Sequence, residues 1–188
     1  MIIAFGHRKQ QGKSTCCELL KQNIIVAKGL DSVEIRAFSD PLYEICHQLY
    51  GWAGFKKREH YEGFPTDKEV PLPEIGKSPR QILIDFGTLG IRQQVYSDTW
   101  VKYLLNTLND KITLVPDLRF RNEAEALKEK GALLVKVVRP KAILENDVAD
   151  EDLDDFDGWD IIVVNDGTKR HLNDQLMEEV FPEIHDGE

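Results

Sequence analysis

One stretch constrains this chain more than any other: Gly6-His7-Arg8-Lys9-Gln10-Gln11-Gly12-Lys13-Ser14-Thr15, preceded by the apolar run Ile2-Ile3-Ala4-Phe5 and followed by a helix-like segment from Thr15 to Gln22. The order reads as strand, phosphate loop, helix. In such a unit the backbone N–H groups of a tight loop and the positive end of a helix surround phosphate oxygens, and a lysine ammonium adds a full charge. Gly12 lets backbone approach phosphate without a side chain in the way. Lys13 would bridge the outer phosphates, and the Ser14 hydroxyl would ligate magnesium, which prefers oxygen donors and keeps several waters. Gly6, His7, Gly12, Lys13, Ser14 and Thr15 are therefore candidates for holding a nucleoside triphosphate. The spacing is irregular, because five residues lie between Gly6 and Gly12 where the usual loop has about four. Either the loop is one residue longer, or His7 takes the first glycine's place in the left-handed backbone region. The alternative is a surface turn that merely contains Gly-Lys-Ser; the strand before it and the helix after it speak against that.

With 188 residues, 41% apolar and 30% charged, the sequence suits one soluble domain with a substantial core. No apolar run approaches the roughly 20 residues that cross a bilayer. Met1 to Phe5 is too short for the core of a signal peptide, so the expected location is cytoplasmic. A net charge of −9 argues against a broad nucleic-acid surface, which would have to neutralise many phosphates. Small anions need only a local cluster. Basic residues gather at Arg8, Lys9 and Lys13, and acids between Asp147 and Asp157. Cys16, Cys17 and Cys46 lack zinc or redox spacing and read as reduced, packed helix residues; a lowered thiol pKa beside the loop is the alternative for the first two.

Along the chain, the first helix should reach about Val26 with Cys17, Leu19, Leu20 and Ile24 on its apolar face. Val33 to Phe38 predicts a strand, and Ser39-Asp40-Pro41 a helix start, with Leu42, Ile45, Cys46 and Leu49 buried. Gly51 to Ser78 shows no sustained period and reads as a long irregular insertion. A helix from Pro79 should be interrupted at Gly87-Thr88-Leu89-Gly90 and resume from Trp100 to Leu108. Ile112 to Asp117 predicts a buried strand and Glu123 to Lys130 a helix, with a capping-box-like pair in Asn122 and Glu125. Leu133 to Val138 and Trp159 to Val164 predict the last strands, and the turn Asn165-Asp166-Gly167-Thr168 leads into a helix to about Val180. Strands alternating with helices imply an α/β fold with a parallel sheet of about five strands, covered on both faces. Ligands then gather beyond the strands' carboxyl ends.

Asp117, at such an end, suits an acid supporting magnesium, or else it anchors the following turn. Asp40 can face substrate or simply cap a helix. Arg80, Arg92, Arg119 and Arg139 are candidates for clamping phosphates, because a planar guanidinium grips two oxygens at once. Trp52, Phe55 and Tyr61 could stack on a base or serve packing. His7 could contact phosphate or only meet solvent.

Taken together, the P-loop, Ala37-Phe38-Ser39-Asp40-Pro41-Leu42, Ser78-Pro79-Arg80-Gln81-Ile82-Leu83, Phe86-Gly87-Thr88 with Arg92, Asp98-Thr99-Trp100, Asp117-Leu118-Arg119-Phe120-Arg121-Asn122-Glu123 and Asn165-Asp166-Gly167-Thr168 resemble one family. It is that of the bacteriophage-type deoxynucleoside monophosphate kinases. The resemblance implies a single three-layer P-loop kinase domain, 1–188, with an acceptor-binding insertion at about 41–110 and a lid-like segment at about 140–158. It implies ATP and Mg2+ as cofactors and transfer of ATP's terminal phosphoryl group to a deoxynucleoside monophosphate, for DNA precursor supply in the cytoplasm, or in a host's if the gene is a phage's. Lys13 and Ser14 would serve ATP and magnesium. Asp40, Arg80, Gln81, Arg92 and Trp100 would face the acceptor, with Asp117 and Arg119 near the transferring phosphate. Asn165, Gly167 and Thr168 would form the adenine-side loop. No membrane or stable nucleic-acid partner is implied; a homodimer is allowed. Two departures stand out: the P-loop spacing, and Asp147-Val148-Ala149-Asp150-Glu151 where a His-x-Ser-Glu-like pattern is expected. The same scaffold could take another small acceptor, a coenzyme precursor or a sugar, or could bind nucleotide without catalysis.

Overall fold

An unbroken apolar run forms a strand where both faces are covered, and in the computed structural model Ile2–Gly6 is that strand, β1, buried throughout. The structure describes residues 1–140 and 151–184. The chain continues through helix α1 (Lys13–Lys28), strand β2 (Val33–Ile35), helix α2 (Asp40–Tyr50), helix α3 (Arg58–Gly63) and helix α4 (Pro79–Leu83). Helix α4 passes directly into a π-wound stretch, Ile84–Val95, and then come helix α5 (Thr99–Asn106), strand β3 (Ile112–Leu118), helix α6 (Arg121–Glu129), strands β4 (Leu133–Val138) and β5 (Ile161–Val164), and helix α7 (Lys169–Gln175) with a π-wound end, Leu176–Val180. The fold divides into two compact units, Met1–Ala37 with Tyr103–Glu188, and Phe38–Lys102.

The first unit holds the five-stranded sheet, all parallel, in the order β2-β3-β1-β4-β5. β1 is central, and the chain winds outward from it in both directions, so the loop that follows β1 lies at the switch point where open α/β sheets bind ligands. Ile3, Phe5, Cys16, Cys17, Leu20, Ile24, Leu114, Val135 and Val163 share one core with Leu172 and Leu176. Both P-loop cysteines are thus packing residues, and burial pushes the Cys16 thiol up to about 12, so the lowered pKa considered for it does not arise.

The ladder between β1 and β3 breaks at one point. Ala4 pairs with Val115 but Gly6 with Leu118, so Pro116 and Asp117 both stand opposite Phe5. Pro116 has no N–H to give the ladder, and the bulge forms where that bond is missing. The strand therefore runs on through Asp117 to Leu118 instead of ending in the acid.

The second unit differs from expectation in three places. Gly87 and Gly90 do not interrupt the helix; the chain stays helical through Val95 by widening its turn, as the bond from the Tyr96 N–H to the Ile91 carbonyl shows (3.0 Å). A Cβ on Gly87 would come within 2.4 Å of Leu42, so this glycine serves the approach of the π-wound stretch to α2. On α2 the buried residues are Leu42, Tyr43 and Cys46, while Ile45 and Leu49 are exposed. Tyr43 replaces them because the segment read as irregular folds back into α3 and supplies it with partners. The rings of Tyr43, Phe55 and Tyr61 pack within 5.6 to 6.4 Å of one another, whereas Trp52 lies exposed. In the first unit, α6 begins at Arg121, and its cap is the Glu123 side chain reaching back to the chain before the helix, not the pair Asn122 and Glu125. The Glu123 carboxylate is 2% exposed and accepts from the Arg119 and Phe120 N–H groups, both at 3.2 Å.

Candidate functional site

The loop from Gly6 to Gly12 turns at His7. His7 has φ 91°, in the region that favours glycine, whereas Gly6 is still strand. What Gly6 provides is room: a Cβ there would lie 2.4 Å from the Trp159 ring. Gln10 (φ 61°) and Gly12 (φ 102°) make two further left-handed positions before α1 begins. The extra residue is accommodated as a longer loop with His7 in the first turning position.

Lys13 is 6% exposed, and its ammonium donates to the loop's own carbonyls, His7 O at 2.7 Å and Arg8 O at 2.5 Å. These bonds curl the loop around the lysine. Ser14 and Thr15 follow in the first turn of α1, where unsatisfied N–H groups collect. Gln11 is 2% exposed. Its side-chain oxygen accepts from the Arg139 N–H just past β4, and its carbonyl accepts from the Asn165 amide at 2.9 Å just past β5.

The described part of the acidic stretch meets the same loop. Asp154 takes Arg8 in a two-pronged grip, Nε at 3.0 Å and the second nitrogen closer still, with His7 Nε2 at 3.4 Å. The Arg8 hydrogen bond, before any other cause, holds the Asp154 carboxyl below its ordinary value. Burial and then the charge of Lys136 lower the His7 pKa, with Arg8 and Lys13 adding and Asp154 opposing. His7 is therefore enclosed by the protein rather than meeting only solvent. Asp152 and Asp155 accept from Arg121, at its N–H and its guanidinium, each at 2.6 Å. The His-x-Ser-Glu-like comparison at Asp147 to Glu151 falls almost wholly outside the described residues.

Asp117 sits in the β3 bulge, one residue before the partner of Gly6, and Arg119 follows the strand. In the turn after β5, Thr168 caps α7 by accepting from the His171 N–H at 3.2 Å, and a Cβ on Gly167 would approach His171 to 3.1 Å. Asn165 reaches back to the P-loop: a Cβ on Gly12 would lie 2.3 Å from its amide nitrogen.

In the second unit, Asp40 pairs with Arg58, which also pairs with Glu62 at 2.8 Å. Arg80 pairs with Glu69. Lys68 donates to the Tyr43 hydroxyl and lies 4.9 Å over its ring. Burial pushes Tyr43 up to about 12, against the pull of Arg58 and Arg80. Asp40, Arg80 and three residues the sequence did not single out, Tyr43, Arg58 and Lys68, thus belong to one cationic cluster. Gln81 donates to Asp85 at 2.7 Å. Arg92 lies on the π-wound stretch. Trp100 is buried, its indole N–H donating to the Gly87 carbonyl at 3.2 Å, which ties together two segments of the family resemblance.

No family model matches the chain. Shikimate kinase from Aquifex aeolicus vf5 superposes with a TM-score of 0.50 at 12% identity, with the whole of both chains covered. This chain has the P-loop kinase fold. It is also 26% identical over 194 aligned positions, covering 94% of each chain, to a protein of Acanthamoeba polyphaga mimivirus named "Putative deoxynucleotide monophosphate kinase". The likeness to that protein therefore runs through nearly the full length of both chains. No helix among the described residues is long and apolar enough to cross a membrane.

Proposed function

We propose that the chain transfers the terminal phosphoryl group of ATP to a deoxynucleoside monophosphate. The observation that carries this is the P-loop: a buried lysine at the head of α1, at the sheet's switch point, in a chain bearing the family's acceptor-side motifs in order. The donor is assigned to Gly6, His7, Gly12, Lys13, Ser14 and Thr15, with Asn165, Gly167 and Thr168 toward the base. The acceptor is assigned to the second unit, through Asp40, Arg80, Gln81, Arg92 and Trp100. The cluster adds Arg58 and Lys68, cations now held by carboxylates or a phenol that a phosphate could replace. Arg119 is assigned to the transferring phosphate.

Magnesium would be held by Ser14 and Asp117. Ser14 offers a hydroxyl and Asp117 a carboxylate, hard oxygen donors of the kind this ion takes alongside phosphate oxygens and water. Bound there, it would offset charge on the triphosphate. In the reaction an oxygen of the acceptor phosphate bonds to the γ-phosphorus as the bond to the β–γ bridging oxygen breaks, and ADP leaves. Positioning and charge stabilisation carry such transfers, and no strong base is needed.

The test is ADP formation from ATP against a panel of deoxynucleoside and ribonucleoside monophosphates, sugars and coenzyme precursors. Turnover with a deoxynucleoside monophosphate supports the proposal; turnover only with another acceptor overturns it. Lys13→Ala should fold and lose at least about a hundredfold in kcat, the scale of removing one charge stabiliser. Full activity in the folded variant would end the P-loop reading.

A further inference from the structure

The long phosphate loop has to be held in shape by something other than glycine. His7 (φ 91°) and Gln10 (φ 61°) carry side chains in the left-handed region, a conformation that persists only where the surroundings over-determine it. We propose that Gln11, the residue before Gly12, is the positioning residue of this loop, and that Asn165 is its partner. This rests on the reading that the loop binds a triphosphate.

Gln11 is a polar side chain at 2% exposure, and such a group is retained inside a protein when its bonds are made. Its side-chain oxygen takes the Arg139 N–H, the first donor beyond β4. Its carbonyl takes the Asn165 amide at 2.9 Å. Asn165 is itself fixed, since its N–H donates to the Val138 carbonyl at 2.8 Å and so extends the β4–β5 ladder by one bond. One residue of the loop is therefore tied to the ends of two strands, while Gly6 ties the loop's start to β1. The Asn165 amide also occupies the space where a Cβ on Gly12 would stand, 2.3 Å from it, which confines that turn. The brace acts on backbone, and backbone N–H groups are what a phosphate chain meets in such a loop. Gln11 thus replaces, by side-chain bonds, the order that a shorter loop obtains from its length. Asn165 acts through the loop, besides its assignment toward the base.

The experiment measures binding of two probes to the full chain by calorimetry, each with magnesium: a non-hydrolysable ATP analogue, and inorganic tripolyphosphate, which has no base. Gln11→Met keeps length and volume but removes the side-chain acceptor of the Arg139 N–H; Asn165→Ala removes the donor to the Gln11 backbone carbonyl. Each should weaken both probes about tenfold, and the double variant should lose less than the product of the two losses, because both hold the same backbone. A purely structural role would lower the melting temperature and leave the affinity of the folded protein unchanged. If the unaltered chain binds neither probe, the phosphate-loop reading falls and this inference with it. If it binds and the variants bind equally well, or the losses simply multiply, the brace is overturned while the loop reading stands. Should Gln11→Met fail to fold, unchanged tripolyphosphate binding by Asn165→Ala overturns the brace alone.

Discussion

At the scale of single residues, the phosphate loop shows glycine and non-glycine exchanging their usual duties. Gly6 keeps strand geometry and is needed for space, whereas His7 takes the left-handed turn. Gly6→Ala should therefore destabilise the protein by about 1–3 kcal/mol, the range for overpacking, through its clash with Trp159. Trp159→Leu in the same chain should recover part of the loss, as chemical denaturation will show; no recovery would place the strain elsewhere. His7 gives a pH signature whose sign follows from its lowered pKa. Below its ordinary value of 6.5 the unfolded chain takes up a proton that burial and Lys136 deny the folded one, so stability falls as pH falls. His7→Asn keeps a side chain that tolerates the left-handed region and has nothing to titrate. Between pH 7 and pH 5 the native chain should lose more melting temperature than this variant, and an equal loss would mean that His7 titrates alike in both states. The sequence posed the choice between Gly6 and His7 but could not decide it, because what decides it is a tryptophan ring from a segment far along the chain.

At the scale of elements, what was legible is what local periodicity writes. The run Ile2 to Phe5, the alternation into α1 and the strand Leu133–Val138 stand where the apolar pattern puts them. The misses share a cause, which is that a second solution existed locally and packing chose it. Gly87 and Gly90 signal a break, yet the chain widens its helix there because Leu42 and the Trp100 indole meet Gly87 directly. Asn122 looks like a cap, but Glu123 can reach back to two N–H groups and become buried. Ile45 and Leu49 have the right spacing for burial and lose the place to Tyr43, whose partners Phe55 and Tyr61 come from a stretch without period. One helix start was readable, that at Pro79, and the structure adds its cap: Ser78 accepts from the Gln81 N–H at 3.3 Å at the start of the helix that bears Arg80. Ser78→Ala should cost about 1 kcal/mol, the usual value of an N-cap, and should raise the apparent KM of the monophosphate more than that of ATP. Equal changes in both would detach this helix from acceptor binding.

For the molecule as a whole, a parallel sheet was implied by alternation of elements, while the ties that shape the loop span distances no single sequence displays. Arg8 and Asp154 are 146 positions apart, and Gln11 and Asn165 are 154 apart. Division into two units suggests how the two substrates should register in solution. A ligand that binds only the folded chain raises its stability by about 2.7 kcal/mol at a hundred times its dissociation constant. For a chain of this size that is a rise of roughly 5 to 10 °C in melting temperature. Saturating ATP analogue with magnesium should give such a rise, and Lys13→Ala should abolish it, since the ammonium that would meet the phosphates is gone. Amide hydrogen exchange then separates the two halves of the reaction. The ATP analogue alone should slow exchange at residues 6–15 and 165–168, and a deoxynucleoside monophosphate alone should slow it within 38–102. The carboxylates now pairing with Arg58 and Arg80 would be displaced there by the acceptor's phosphate. Protection by the monophosphate confined to residues 6–15 would remove the acceptor from the second unit and leave the cationic cluster around Tyr43 as a structural feature.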